Sequence, residues 1–231
     1  MKDSIPALIL YITAVIIAVL GIVLDNEILL LFSKPAIVPA IFFYYIQTSK
    51  TSINWFFALG LVSNFLHDIL SLLNFGNTIY FIIIFNVINF LILLYFRIKD
   101  IEPNFVSNKR KIYILMATLT NSFILFFVLN LINIENETLN FIIYIYGFIL
   151  WGLVSLSAFH FYSSYSLRNT FAAIMCGCLI LSNVAYAVYN FYINIEIFKI
   201  LNLIMQSASY FYMVKYFTSK KIHHSDLEFD D

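Results

Sequence analysis

Eight stretches of about 20 predominantly apolar residues follow one another along this chain, at roughly 5–24, 30–48, 53–74, 78–97, 111–133, 138–163, 169–193 and 197–218. Each is long enough to cross the hydrocarbon core of a bilayer as an α-helix. Apolar residues are 62% of the 231 and charged residues 11%, against about 45–50% and about 25% in soluble domains. A water-soluble globule of this size has no way to cover its surface with so few charges. The predicted fold class is therefore an all-α membrane protein: a single bundle of about eight transmembrane helices over residues 1–218, followed by a short polar tail over 219–231.

The connections are short and several carry Asn, Ser or Gly, as in Asn74-Phe75-Gly76-Asn77 and Asn133-Ile134-Glu135-Asn136. The longest runs from Lys99 to Lys111. The second segment is the weakest, because Lys34-Pro35 and Pro39 lie near its beginning. Proline suits the first turn of a helix, where its missing N–H costs nothing, so these residues predict a helix start. The amino terminus runs too long for a signal sequence and lacks a small-x-small cleavage site, so it is expected to be retained as the first span.

Eight spans sort the thirteen Lys and Arg unequally. Lys2, Lys50, Arg97, Lys99, Lys109, Arg110, Lys111, Arg168, Lys215, Lys220 and Lys221 fall on the face that holds the termini, and Lys34 and Lys199 on the other. Eleven against two places both termini in the cytoplasm. The net charge is zero, which gives no global basic field to attract nucleic acid. Cys176 and Cys178 stand in a hydrophobic run with no second pair to complete a zinc site, and read as small buried residues. The tail, with His223, His224 and four acids, is expected to be a solvated cytoplasmic end and not a metal site.

An ionisable group at membrane depth marks a functional site by default, because it must be paired or hydrated. Asp68 is the clearest case. Asn64, His67, Asp68 and Ser71 fall at i, i+3, i+4 and i+7, one stripe of a helix that has to face the bundle interior or a water-filled cavity. The same pattern also suits a structural polar cluster joining helices. In the seventh span, Asn183, Tyr186 and Asn190 share a face beside Ser182, where interhelical hydrogen bonding is the stronger reading. His160, on a face with Ser157 and Ser164, reads as an interfacial histidine near the cytoplasmic side. Asn86, Asn89, Asn121 and Gln206 add polar groups that can line a common cavity or join helices. Lys34 is either an interfacial residue held near Asp25 and Glu27 or a point charge for Asp68 or a lipid phosphate. No nucleophile elbow, P-loop, zinc-protease or dinucleotide motif is present, and nothing calls for a cofactor or a metal.

Three landmarks together resemble the YhhN-like family, bacterial relatives of the lysoplasmalogenases, which are compact membrane proteins of about eight spans. Lys34-Pro35 with Pro39 is similar to the family's Lys-Pro at the second helix. Gly60 to Leu72, with Asp68, is similar to the third-helix segment that ends in Gly-Asp. Ser182-Asn183, followed by Ala187 and Phe191, is similar to a seventh-helix Ser-Asp segment. The resemblance implies hydrolysis of the vinyl-ether bond of a lysoplasmalogen or related lysolipid in a bacterial inner membrane. It implies Asp68 and position 183 as catalytic residues; His67 beside Asp68 is a further catalytic candidate, and Lys34, Asn64, Ser182 and Tyr186 are the candidate substrate-binding residues. Membrane lipids, including a lysophospholipid substrate, are the partners it implies. The pattern departs from the family where His67 replaces Gly, Asn183 replaces the second Asp, Asn86 and Asn89 stand near an expected histidine, and Lys215 stands for a late Gln. Either His67 has taken over the acid–base role beside Asp68 or the activity is lost. A small transporter or permease, with broken helices at mid-membrane, and a non-catalytic lipid-binding protein are the alternative readings.

Overall fold

The computed structural model describes residues 4–49, 53–73, 78–101, 107–132, 136–164 and 166–219. They form eight α-helices: α1 (Ile5–Val23), α2 (Glu27–Thr48), α3 (Trp55–Leu73), α4 (Thr78–Lys99), α5 (Asn108–Leu131), α6 (Glu137–Ser163), α7 (Leu167–Phe191) and α8 (Glu196–Thr218). No strand occurs among the described residues. The histidines and acids of the tail after Ser219 lie outside the described residues, as do Lys2, Lys50, Lys220 and Lys221.

Short polar caps set the boundaries. Asn26, Asn136 and Ser166 each accept a hydrogen bond from the backbone N–H three residues on, at 3.1 Å, which satisfies one of the first turn's orphan donors in α2, α6 and α7. The Asn26 cap corrects the reading of α2. The helix starts at Glu27, so Pro35 and Pro39 sit in its interior and not at its first turn. Each proline withholds the N–H that would meet the carbonyl four residues earlier, at Leu31 and Pro35. Helices of membrane bundles tolerate this when neighbouring groups compensate.

Seven helices are long and apolar enough to cross a membrane; the eighth, α8, falls short of that composition although it has the length. The reason is visible along its inner face. Asn202, Gln206, Ser207 and Ser209 replace apolar residues there: the side chains of Asn202 and Gln206 bond to α7 and α3, the Ser207 carbonyl accepts from Tyr11 of α1, and the Ser209 hydroxyl donates to the Gln206 carbonyl within α8. The outward faces of the bundle are apolar, with Ile12, Ile16, Phe32, Phe123 and Phe126 among many exposed large side chains. α5 is the extreme case, with Asn121 its one buried residue.

Helices adjacent in sequence pack as hairpins, α1 with α2, α3 with α4, α5 with α6 and α7 with α8. α8 also packs on α1 and α2, and α4 on α6, so the bundle closes on itself. α3 and α8 make no close backbone approach, and side chains bridge the gap between them. Contacts between helix ends fix an alternating topology: Lys215 meets Tyr44, Arg97 meets Asn169, and Arg110 meets Ser163 at one end, while Asn136 meets Tyr80 at the other. We call these the termini end and the hairpin end. Among the described residues, Arg97, Lys99, Lys109, Arg110, Lys111, Arg168 and Lys215 lie toward the termini end, and Lys34 and Lys199 toward the hairpin end.

Close packing rests on small residues, as expected where the solvent is as apolar as the side chains. Ala7, Ala14, Ala18 and Gly21 form the buried stripe of α1. A Cβ on Gly21 would stand 3.1 Å from the backbone nitrogen of Leu30, whereas one on Gly147 would meet side-chain methyls, of Leu125 at 2.8 Å and Leu129 at 3.7 Å. Backbone yields less than a side-chain tip. Gly21→Ala is therefore expected to destabilise the protein by about 1–3 kcal/mol and Gly147→Ala by much less. Thermal unfolding of the two variants in detergent checks the order, and equal losses would refute it.

Candidate functional site

The α3 stripe converges on a network that joins three helices. Asp68 is 2% exposed. Its Oδ1 accepts from Gln206 Nε2 of α8 at 3.0 Å, and its Oδ2 from the Tyr210 hydroxyl at 3.3 Å. Gln206 Nε2 also donates to the Tyr210 oxygen at 2.7 Å. Both amide hydrogens are thereby used. His67 Nδ1, 3.2 Å from Asp68 Oδ1, is then the donor in that contact. A carboxylate with three donors is compensated without a metal or a second acid. The same bonds fix the imidazole tautomer and leave Nε2 as its remaining nitrogen.

Next to this network a cavity of roughly 500 Å³ runs between α3, α4, α5, α6, α7 and α8, within the size range of small-ligand sites. His67, Gln206 and Tyr210 line it, with Asp68 buried behind them. Most of the rest of the wall is apolar, from Ile79, Ile83, Leu125, Val128 and Ile143. Asn64 and Asn89 also line it, at 1% and 2% exposure. Asn64 Nδ2 and Asn89 Oδ1 have no hydrogen-bond partner among the described residues. Gly60 explains how Asn89 is seated. Its missing side chain leaves Asn89 Oδ1 only 3.1 Å from where a Cβ would be. At the hairpin end Lys34 reaches the wall, its Nζ donating to Ser71 Oγ at 2.6 Å, and Ser71 Oγ donates to the Asp68 carbonyl at 2.8 Å.

The predicted site residues divide accordingly. Asp68, His67, Asn64 and Lys34 gather around one end of the cavity. Asn183 and Tyr186 line the same cavity, but no hydrogen bond joins Asn183 to Asp68. Asn183 accepts from the Tyr146 hydroxyl and donates to the Leu179 carbonyl at 2.7 Å. Ser182 is a joint between α7 and α8: Asn202 Nδ2 donates to both its carbonyl and its hydroxyl at 2.9 Å. Asn190 bonds within its own helix, and Asn121 fastens α5 to Trp151 and Ser155 of α6.

Two expectations change. His160 is buried, at 4% exposure, within packed helix ends and is not an interfacial side chain. Lys215, at the position expected for a late glutamine, lies toward the termini end against the rings of Tyr44 and Phe211. The glutamine that reaches Asp68 is Gln206. Tyr210 and Tyr11 are functional-site residues that no motif in the sequence marks. Tyr11, buried in α1, donates to the Ser207 carbonyl one turn from Tyr210 and so braces that side of α8. The 206/210 spacing was the available signal, since it places both groups on one face of α8.

Fold and site together define a class: an all-helical bundle compatible with a multi-pass membrane protein, with a polar network set against an internal cavity. No family model, curated protein or solved structure matches the chain.

Proposed function

We propose that this chain is a membrane-embedded hydrolase that cleaves the vinyl-ether bond of a lysoplasmalogen or a closely related lysolipid, as its resemblance to the YhhN-like family implies. The observation that carries the reading is the His67–Asp68 pair, locked by Gln206 and Tyr210 on the wall of a largely apolar cavity. The chemistry needs one proton delivered to carbon and one water. Protonated His67 gives its Nε2 proton to the carbon of the double bond remote from oxygen. The adjacent carbon becomes an oxocarbenium ion, and the Asp68 carboxylate keeps the imidazole oriented. Water adds to that carbon and returns a proton to Nε2. The resulting hemiacetal collapses to a fatty aldehyde and a free glycerol hydroxyl, so the imidazole ends as it began. Asn64 and Asn89 line the cavity and bring side-chain amides suited to a ligand hydroxyl. Asn183, held by Tyr146, is a wall residue in this scheme and carries no proton.

The purified protein in uncharged detergent, given a lysoplasmalogen, should release aldehyde at a rate above the same preparation of Asp68→Asn. Release equal in the two, or absent from both, sinks the reading. We also propose that the termini end faces the cytoplasm of a bacterial inner membrane, because cytoplasmic loops carry the excess of Lys and Arg. A carboxy-terminal alkaline phosphatase fusion should be inactive in that orientation, and a carboxy-terminal fluorescent protein bright. The reverse pattern would overturn the assignment.

A further inference from the structure

Lys34 and Lys199, the two cations at the hairpin end among the described residues, both line the cavity. They come from different hairpins, Lys34 from the second turn of α2 and Lys199 from the first turn of α8. Both are half-buried. Among the described residues neither forms an ion pair with a carboxylate. The oxygens of Asp68, the acid of the α3 stripe, are engaged by His67, Gln206 and Tyr210. Lys34 spends one N–H on Ser71, and Lys199 makes no hydrogen bond among the described residues. Glu27 and Glu196, the acids of the two first turns, are exposed and pair with neither. Two ammonium groups on the wall of one partly desolvated cavity, with no ion pair among the described residues, are unfavourable by themselves, and an anion held between them reverses the sign.

We propose that Lys34 and Lys199 form a cradle for a phosphate group at the hairpin-end mouth of the cavity. Lysine suits this role as a compact point charge with three rotatable donors. The placement also orders a ligand: phosphate at the lysines, the polar linkage beside His67, Asn64 and Asn89, and a single alkyl chain against the apolar wall of α4 and α5. The inference rests on the reading that the cavity takes a lysolipid, and it extends that reading to Lys199, which matches no landmark of the resemblance.

The test uses ligands that cannot be hydrolysed, so it does not depend on catalysis. Full-length protein in uncharged detergent is titrated calorimetrically with a saturated alkyl-ether lysophosphatidic acid and with the matching alkyl glycerol. Inorganic phosphate is then added as competitor. The phosphate-bearing lipid should bind about tenfold more tightly or better, the scale of one charge-assisted hydrogen bond. Lys199→Gln and Lys34→Gln should each erode that preference, the double variant should abolish it, and Lys199→Arg should retain most of it. Displacement of the lipid by inorganic phosphate supports the cradle with a free anion as sufficient ligand. Resistance to displacement, with the lysine dependence intact, supports it with the lipid headgroup as the source. Equal affinity for both lipids, or a preference unchanged in the double variant, overturns the proposal. Preference without any aldehyde release would remove the hydrolase and leave the cradle; release without preference would do the opposite.

Discussion

His67→Gln is expected to lower aldehyde release from a lysoplasmalogen by about 10²–10⁴-fold, the range lost when a positioned general acid is removed. Glutamine keeps a hydrogen-bonding group at the cavity wall but has no proton to give, so the loss should fall on kcat more than on KM. Asp68→Asn tests the other half of the pair. The amide keeps the shape and can still accept from Gln206, but it carries no charge to sit beside an imidazolium. With its oxygen kept toward Gln206 and His67, it also introduces N–H donors where Tyr210 donates. Its loss should be comparable to that of His67→Gln, and the double variant should lose little more than either alone, because groups that act as a unit are not additive. Asn183→Ala separates this scheme from one with two acidic positions. If position 183 transfers a proton, its loss should match that of His67. If Asn183 only shapes the wall with Tyr146, the effect should be much smaller and fall mainly on KM. Rates for the four variants, with unfolding midpoints as a check on folding, decide between them. Unimpaired turnover in His67→Gln would refute the assignment of the acid.

What was legible in the sequence was whatever depends on one helix at a time. Eight apolar runs gave eight helices, and the 64, 67, 68, 71 spacing put a polar stripe on α3 that does face the cavity. The division of cations between two ends also follows from counting along the chain once the helices alternate. What depends on which helices face each other was not legible. Gln206 and Tyr210 reach Asp68 because α8 closes the bundle opposite α3, with their side chains filling the gap between the two backbones. Nothing local in α8 announces that pairing. The α2 start differs from expectation for another reason. Proline suits a first turn, but Asn26 followed by Glu27 is the stronger signal for an amino terminus. The same limitation hid Arg97. Near the end of a span a cation is expected to reach for water, and the side chain of Arg97 is completely buried.

Asp100→Asn is accordingly expected to cost about 3–5 kcal/mol of stability, the scale of an uncompensated buried charge. Asp100 stands one residue beyond the carboxy end of α4, where the helix dipole disfavours an acid. Two guanidiniums hold it there. Its Oδ2 lies 3.6 Å from Arg97 Nη1 and 3.1 Å from Arg168 Nη2, and it accepts from the Tyr216 hydroxyl at 2.6 Å. Both guanidiniums lie over the Tyr216 ring, at 5.4 and 4.6 Å from its centre. Arg97 also donates to Asn169 at 3.1 Å, and Asn169 in turn holds the carbonyls of His160 and Ser164. One carboxylate thus compensates two cations in a knot that ties α4 to α7 and α8, with the end of α6 attached. Neutralising it leaves both arginines without a counter-charge among the described residues, one of them wholly out of water. Arg97→Leu in the same background should recover part of the loss, since it removes the worse-placed charge and refills the volume. The double-mutant cycle, read from thermal unfolding in detergent, should therefore show a coupling well outside additivity. An Asp100→Asn variant that unfolds with the parent would mean that the two arginines find water without moving the helices, and the knot would then have no part in holding the bundle together.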